Sequence, residues 1–236
     1  MHLLCKDHGS VMGTRIPFAR PDGKVAEGYL ASTGRANAPG VVVIQEWWGL
    51  QDQIKGICDR LALAGYHALA PDLYGGTVVP YHDSDSASRE MNSLDFVRAT
   101  DQLVLGAARH LAKANPKVGL TGFCLGGAVT VLGACRLPEL TAAVAFYGLP
   151  LGSEGKPDEL QIPLQGHFTN HDDWCKPAAV DAYESGAKKA NKDVQFYRYE
   201  AEHGFVNEQS AEYDRQLSEL AWGRMLDFWQ KHLGPR

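Results

Sequence analysis

From residue 40 onward, short apolar runs alternate with longer amphipathic stretches. The runs are Val41–Ile44, Tyr66–Ala70, Val118–Thr121, Ala142–Tyr147, Pro163–Phe168 and Val194–Tyr199. Between them lie Gln53–Ala64, a long segment from about Ser86 to Lys113, Leu125–Cys135 and Ala178–Lys189. Runs of that length fit buried strands, and the stretches carry helical spacing. The alternation predicts βαβ units, and so an α/β domain with a mostly parallel central sheet, helices on both faces and right-handed crossovers. A last helix is expected from about Ser210 to His232, with Leu217, Leu220, Ala221, Met225, Phe228 and Trp229 on one face. Ahead of this pattern, Ile16–Phe18 and Val25–Leu30 flank the turn Arg20-Pro21-Asp22-Gly23, a short N-terminal β hairpin. No repeat, low-complexity tract or linker interrupts the chain, and Gly152–Pro157 reads as an internal loop. Residues 1–236 therefore form one expected domain.

One run ends in a chemical motif. The strand of Lys117-Val118-Gly119-Leu120-Thr121-Gly122 passes into Phe123-Cys124-Leu125-Gly126-Gly127, and an apolar, Ala-rich helical stretch follows. Strand, tight turn with a nucleophile, helix is the setting of a nucleophile elbow, with cysteine where serine is usual. Glycines flank the turn because a Cβ does not fit where strand and helix nearly touch. The thiol of Cys124 would sit at a helix N-terminus, where the dipole favours thiolate.

A thiol is mostly protonated at neutral pH and needs a base, which in turn needs an orienting carboxylate. Glu46, Cys124, Asp172, Asp173 and His203 all follow predicted strands, where ligands bind in such sheets. The chain order Cys124, Asp172, His203 repeats the nucleophile–acid–histidine order of the α/β-hydrolase fold. Asp172 and Asp173 are adjacent and only one can face His203; Asp158 and Asp181 lie further off in register, and Asp172 is favoured. An oxyanion hole would use backbone N–H groups of Leu125 and Trp47; as side chains, Trp47 and Trp48 also read as core or rim aromatics. Glu46 reads either as a solvated loop residue or as a gate that keeps the thiol neutral, or takes its proton, until substrate arrives.

Composition narrows the partners. The chain of 236 residues is 44% hydrophobic and 22% charged, with a formal net charge of −5 and no Lys/Arg block, so nucleic acid is not an expected partner. No apolar run approaches the length of a membrane span, and Met1–His8 lacks the pattern of a secretory signal. The five cysteines are odd in number and widely spaced without a C-x-x-C pair, which points to a reducing compartment, the cytoplasm, and away from structural zinc. Cys5, Cys58, Cys135 and Cys175 read as packing. His167 and His171 could mimic a metal pair but lack helical i, i+4 spacing, so no metal is expected. Gly75–Ser88, polar and irregular, could form a lid.

Val43-Ile44-Gln45-Glu46-Trp47-Trp48-Gly49-Leu50, Gly65–Tyr74, Gly119–Gly127, Ala145-Phe146-Tyr147-Gly148, His167–Asp172 and Glu200–Phe205 together resemble the dienelactone hydrolase (carboxymethylenebutenolidase) family, cysteine members of the α/β-hydrolase superfamily. The resemblance covers about residue 20 to the C-terminus. It implies an α/β-hydrolase fold, a Cys124–His203–Asp172 triad, and opening of a lactone, or cleavage of a small activated ester, through an acyl-enzyme without a cofactor. It also implies that Glu46 pairs with the resting thiol and that substrate binding shifts this pairing. A general carboxylesterase or thioesterase with the same triad, and a non-catalytic binding protein, are the alternatives. Tyr147 and Trp48 are candidates to line the substrate site. Where the family holds a substrate carboxylate with two arginines, the position after the histidine holds Asn207, and Arg89 is the candidate for the other. The expected partner is a small-molecule lactone or ester, without nucleic acid or membrane, acting on a monomer or homodimer.

Overall fold

The computed structural model describes residues 12–150 and 152–234. Cys5 and the Met1–His8 segment lie outside the described residues. Eight strands form one sheet: β1 Thr14–Ala19, β2 Val25–Ala31, β3 Gly40–Ile44, β4 His67–Pro71, β5 Val118–Phe123, β6 Ala142–Phe146, β7 Leu164–His171 and β8 Val194–Glu202. Their spatial order is β1-β2-β4-β3-β5-β6-β7-β8. The hairpin β1–β2 adds antiparallel to β4, and β4 through β8 run parallel. Every strand expected from an apolar run is present, and the hairpin turns at Arg20–Gly23, where Gly23 N–H donates to the Arg20 carbonyl.

The parallel strands read as continuous apolar runs because both faces are covered. Val41 and Val43 of β3 pack with helices α1 (Asp52–Leu63) and α7 (Arg215–Leu233). The alternate residues Val42 and Ile44 pack on the opposite face, with α4 (Leu105–Ala112) and α5 (Leu125–Arg136). The period of two along the strand thus divides the core into two layers. α5 is buried on all sides, which explains its almost wholly apolar sequence. In α7, Ala221, Met225, Phe228 and Trp229 are buried as expected, but Leu220 is exposed and Leu217 only half-buried. Trp229, fully buried, closes against Gly119 of β5, where any Cβ would meet its ring.

The long helical segment before β5 is not one helix. α2 (Ser84–Ser93) begins where Asp83 accepts from Ser86 N–H, and it stops at Leu94. Asp95 then caps α3 (Phe96–Ala99), which passes through a π-helical turn at Thr100–Val104 into α4. The two Asp caps restart the helix at sites where periodicity alone shows no break. The stretch expected as a lid carries hydrogen bonds to the body: Val79 N–H donates to the Trp48 carbonyl and Gln51 Nε2 to the Val79 carbonyl. No helix among the described residues is long and apolar enough to cross a membrane.

Candidate active site

Cys124 stands between β5 and α5 with φ 57 and ψ −118, a backbone conformation that costs about 1–3 kcal/mol for a non-glycine residue. The surroundings hold it there. Its N–H donates to the Phe146 carbonyl and its carbonyl accepts from Gly127 and Ala128, the first bonds of α5. The elbow is backbone against backbone. A Cβ on Gly122 would overlap the Gly126 carbonyl, and one on Gly148 would overlap the carbonyl of Cys124 itself. The glycines of the motif are thus required by close approach.

The sheet brings distant segments to the thiol. β7 ends at His171 and Asp172 follows; β8 ends at Glu202 and His203 follows. Asp172 Oδ2 lies 2.8 Å from His203 Nδ1, while Oδ1 accepts from the N–H groups of Trp174 and Cys175, each at 2.8 Å. The Cys124 sulfur lies close enough to the same ring to help raise its pKa. Asp173, the neighbouring alternative, is exposed, Asp158 sits in a distant 3-10 turn (Pro157–Glu159), and Asp181 bonds Arg198. Only Asp172 is turned inward.

Burial disfavours ionisation of Asp172, but the hydrogen bond and charge of His203, with the two backbone donors, outweigh it and hold its pKa below the usual carboxylate range. Burial likewise opposes a charged His203. Its bonds to Asp172 and to the Cys124 sulfur win, and its pKa is pushed up to about 10. These environments favour a charged imidazole held by an ionised carboxylate. Burial first, then the charge of Asp172, raises the Cys175 thiol to about 12, and burial is the largest cause that raises Cys135 to about 11.

Glu46 is not the solvated loop residue of one sequence reading. It is buried, not solvated, and its oxygens are held elsewhere than on sulfur: Oε1 accepts from the Tyr147 hydroxyl at 2.9 Å, and Oε2 from Asn207 Nδ2 at 2.6 Å. Burial raises its pKa, partly offset by these two donors. The pairing of Glu46 with the thiol is corrected accordingly. Asn207 is corrected as well: at 2% exposure it supports Glu46 instead of facing a ligand, because its other amide atom caps the turn through Gln209 N–H. Arg89 is exposed on α2 and bonds Ser86 of its own turn; among the described residues no contact joins it to Cys124, His203 or Glu46. Tyr147 is fully buried, with its ring 4.9 Å from that of His203, so it belongs to the wall behind the histidine.

Trp47 follows Glu46 in the turn after β3, and Leu125 is the first residue of α5; β3 and β5 are neighbours, with Ile44 opposite Gly122. Trp47, Trp48, Tyr81 and the exposed Trp174 form a string of ring contacts with centroids 5.0–5.5 Å apart. Trp174 and Tyr81 were not legible as site residues. Burial first, then the charge of Glu46, pushes the pKa of Tyr81 up to about 12. An open depression of about 370 Å³ exposes the edge of His203 between His171, Asp173, Trp174, Glu202 and Glu212. His167 and His171 point apart: His167 is buried between Tyr199 and Gln165, and His171 is exposed beside Glu200. Among the described residues no cluster has the makeup of a metal site.

The model of the dienelactone hydrolase family matches residues 26–233. Protein usf of Aquifex pyrophilus is 34% identical over 235 residues, covering 94% of this chain and all of that protein. A protein of Aquifex aeolicus, provisionally named carboxymethylenebutenolidase, is 32% identical over 236 residues, with 94% of this chain and all of that one covered. A crystal structure of a provisionally named dienelactone hydrolase from Klebsiella pneumoniae superposes with a TM-score of 0.82 at 28% identity, over 93% of this chain and 99% of that one. Family model, relatives and fold agree with the elbow and the residues around it, and the chain belongs to the dienelactone hydrolase family of α/β-hydrolases.

Proposed function

We propose that this protein hydrolyses lactones of the dienelactone type, or small activated esters, through an acyl-enzyme on Cys124. The observation that carries the proposal is the His203 ring, bonded through Nδ1 to Asp172 and raised in pKa in part by the Cys124 sulfur. The thiolate attacks the carbonyl carbon and a C–S bond forms. Negative charge moves to the carbonyl oxygen, to be met by the N–H groups of Leu125 and Trp47. The tetrahedral intermediate collapses, the C–O bond breaks, and His203 gives its proton to the leaving oxygen. In a lactone that oxygen stays tethered to the acyl group. His203 then takes a proton from water, hydroxide attacks the thioester, and the thiolate leaves. Asp172 keeps the ring oriented and stabilises its charge. Every step is carried by side chains and backbone of this chain. The free thiols of Cys58, Cys124, Cys135 and Cys175 fit a reducing, cytoplasmic setting.

A broader carboxylesterase is the second reading. It is favoured by Asn207, which stands where the family resemblance places an arginine and is committed to Glu46. Turnover of dienelactone beside p-nitrophenyl acetate separates the two: strong preference for the lactone supports the first, comparable turnover of many esters the second. Cys124→Ala is expected to abolish both activities, and a variant near wild type would exclude the mechanism.

A further inference from the structure

We infer that Tyr147 is a positioning residue: it holds the His203 ring in register with the elbow, and the bond of its hydroxyl to Glu46 anchors it for that task. This role rests on the hydrolase reading above and deepens it.

Asp172 alone does not fix the imidazole. One bond of 2.8 Å at Nδ1 leaves the ring free to swing about that contact, and one edge of His203 is open to the depression. Tyr147 supplies a wall. The two ring centroids are 4.9 Å apart with the planes at 62°, an edge-on packing that aromatic rings favour. Among the described residues it is the one aromatic ring against the imidazole.

The backbone of Tyr147 is tied to the nucleophile. The peptide unit it shares with Phe146 accepts from the Cys124 N–H at 3.1 Å and donates to the His167 carbonyl at 2.8 Å. Its φ of 35° is rare for an aromatic residue, and such a conformation persists only where the surroundings impose it. Its ring lies between Phe123, which precedes Cys124, and Phe205, in the turn after His203, with centroids 6.4 and 5.9 Å away. One residue thus joins the elbow to the base.

A circuit of contacts closes around this residue. The chain after His203 turns so that Asn207 N–H donates to the Gly204 carbonyl. Asn207 Nδ2 then donates to Glu46, Glu46 accepts from the Tyr147 hydroxyl, and Tyr147 packs on His203. The buried carboxyl group therefore clamps the turn that carries the base. A misplacement of about 1 Å at a reacting group costs on the order of a hundredfold in rate.

Tyr147→Leu removes the ring and the hydroxyl, whereas Tyr147→Phe keeps the ring and loses the anchor. With p-nitrophenyl acetate, kcat is expected to fall about a hundredfold in the Leu variant and about three- to tenfold in the Phe variant, with KM within about twofold of wild type. A kcat in the Leu variant equal to wild type overturns the inference. The pKa of His203, followed by the NMR shift of its Cε1–H group and assigned with His203→Gln, is a readout that lost packing alone does not move. The other titratable groups around this ring are Cys124, Asp172 and Glu46, with His171, Asp173, Glu202 and Glu212 across the open depression, and none is altered by the substitution. Burial lowers the His203 pKa and the Asp172 bond outweighs it. A ring that swings off Asp172 gives up that bond, so the Leu variant is expected to titrate lower by about one unit, and a drop of less than about half a unit overturns the inference.

Tyr183→Phe is the control. It removes a hydroxyl bonded to the Gly155 carbonyl from the helix Pro177–Lys189, and it should leave kcat and the His203 pKa unchanged whatever happens to the melting temperature. If the Leu variant does not fold, Asn207→Ala opens the same circuit at its other end. The His203 pKa should then fall by about half a unit or more, and a smaller change overturns the inference. Turnover with an unmoved pKa sinks the positioning role and leaves the hydrolase reading standing. A lowered pKa in a protein whose wild type turns over no ester or lactone sinks the hydrolase reading and leaves Tyr147 as the brace of the ring.

Discussion

Asn207 donates its side-chain amide to Glu46 at 2.6 Å, and that bond holds one oxygen of a buried carboxyl group. With Tyr147 on its other oxygen, Glu46 is fixed by two neutral donors. Neither bond involves the Cys124 thiol.

Glu46→Gln is therefore expected to change the rate of iodoacetamide alkylation of Cys124 by less than about threefold, since no contact with sulfur is removed. A carboxylate that suppressed the thiolate would, on removal, raise that rate tenfold or more. Stopped-flow alkylation at pH 7 distinguishes the two.

Tyr147→Phe removes one of the two donors to a buried carboxyl group. Leaving such a group short of a partner costs about 1–3 kcal/mol. For a domain of this size the melting temperature should fall by roughly 2–4 °C per kcal/mol. Calorimetry checks it, and an unchanged melting temperature would show that the bond carries no net stability.

The pH dependence follows from opposite shifts in one pair. Asp172 has a lowered pKa in the folded state, so its contribution to stability is present above the unfolded carboxylate range and is lost as pH falls through the folded value. His203 is raised to about 10, so its contribution is full below the ordinary histidine range and is lost as pH rises through about 10. Activity should follow the second limb, with kcat/KM falling as pH passes about 10 and the proton for the leaving oxygen is lost. Asp172→Asn should remove much of the upward shift and bring that limb toward neutrality. An alkaline limb that stays in place in the Asn variant would refute the assignment.

Gly148→Ala places a methyl group on the carbonyl of Cys124, and neither partner is a flexible side chain. Loss of activity by at least a hundredfold is expected, with a strongly lowered melting temperature if the elbow shifts to make room. Gly152→Ala is the contrast: no atom lies within 4 Å of its Cβ, although its positive φ carries some strain. It should retain activity.

Cys124→Ser keeps the shape of the elbow but replaces a group that ionises beside an imidazole with one that does not. Turnover should fall by orders of magnitude. A fully active serine variant would show that thiolate formation is not the basis of the site.

The sequence by itself determined the layered α/β fold, because buried parallel strands must be continuously apolar and their crossovers must carry a periodic face. It determined Cys124, because glycines crowd around a cysteine between strand and helix where the two backbones must nearly touch. It also determined that Glu46, Asp172 and His203 follow strands and so share the carboxyl edge of the sheet. Only tertiary structure decided between Asp172 and Asp173, since adjacent residues differ in which one the turn buries against His203. The partners of Glu46 were equally hidden. Tyr147 and Asn207 reach it across long stretches of chain, and whether a carboxylate faces a sulfur or a hydroxyl is set by packing, which no local pattern records.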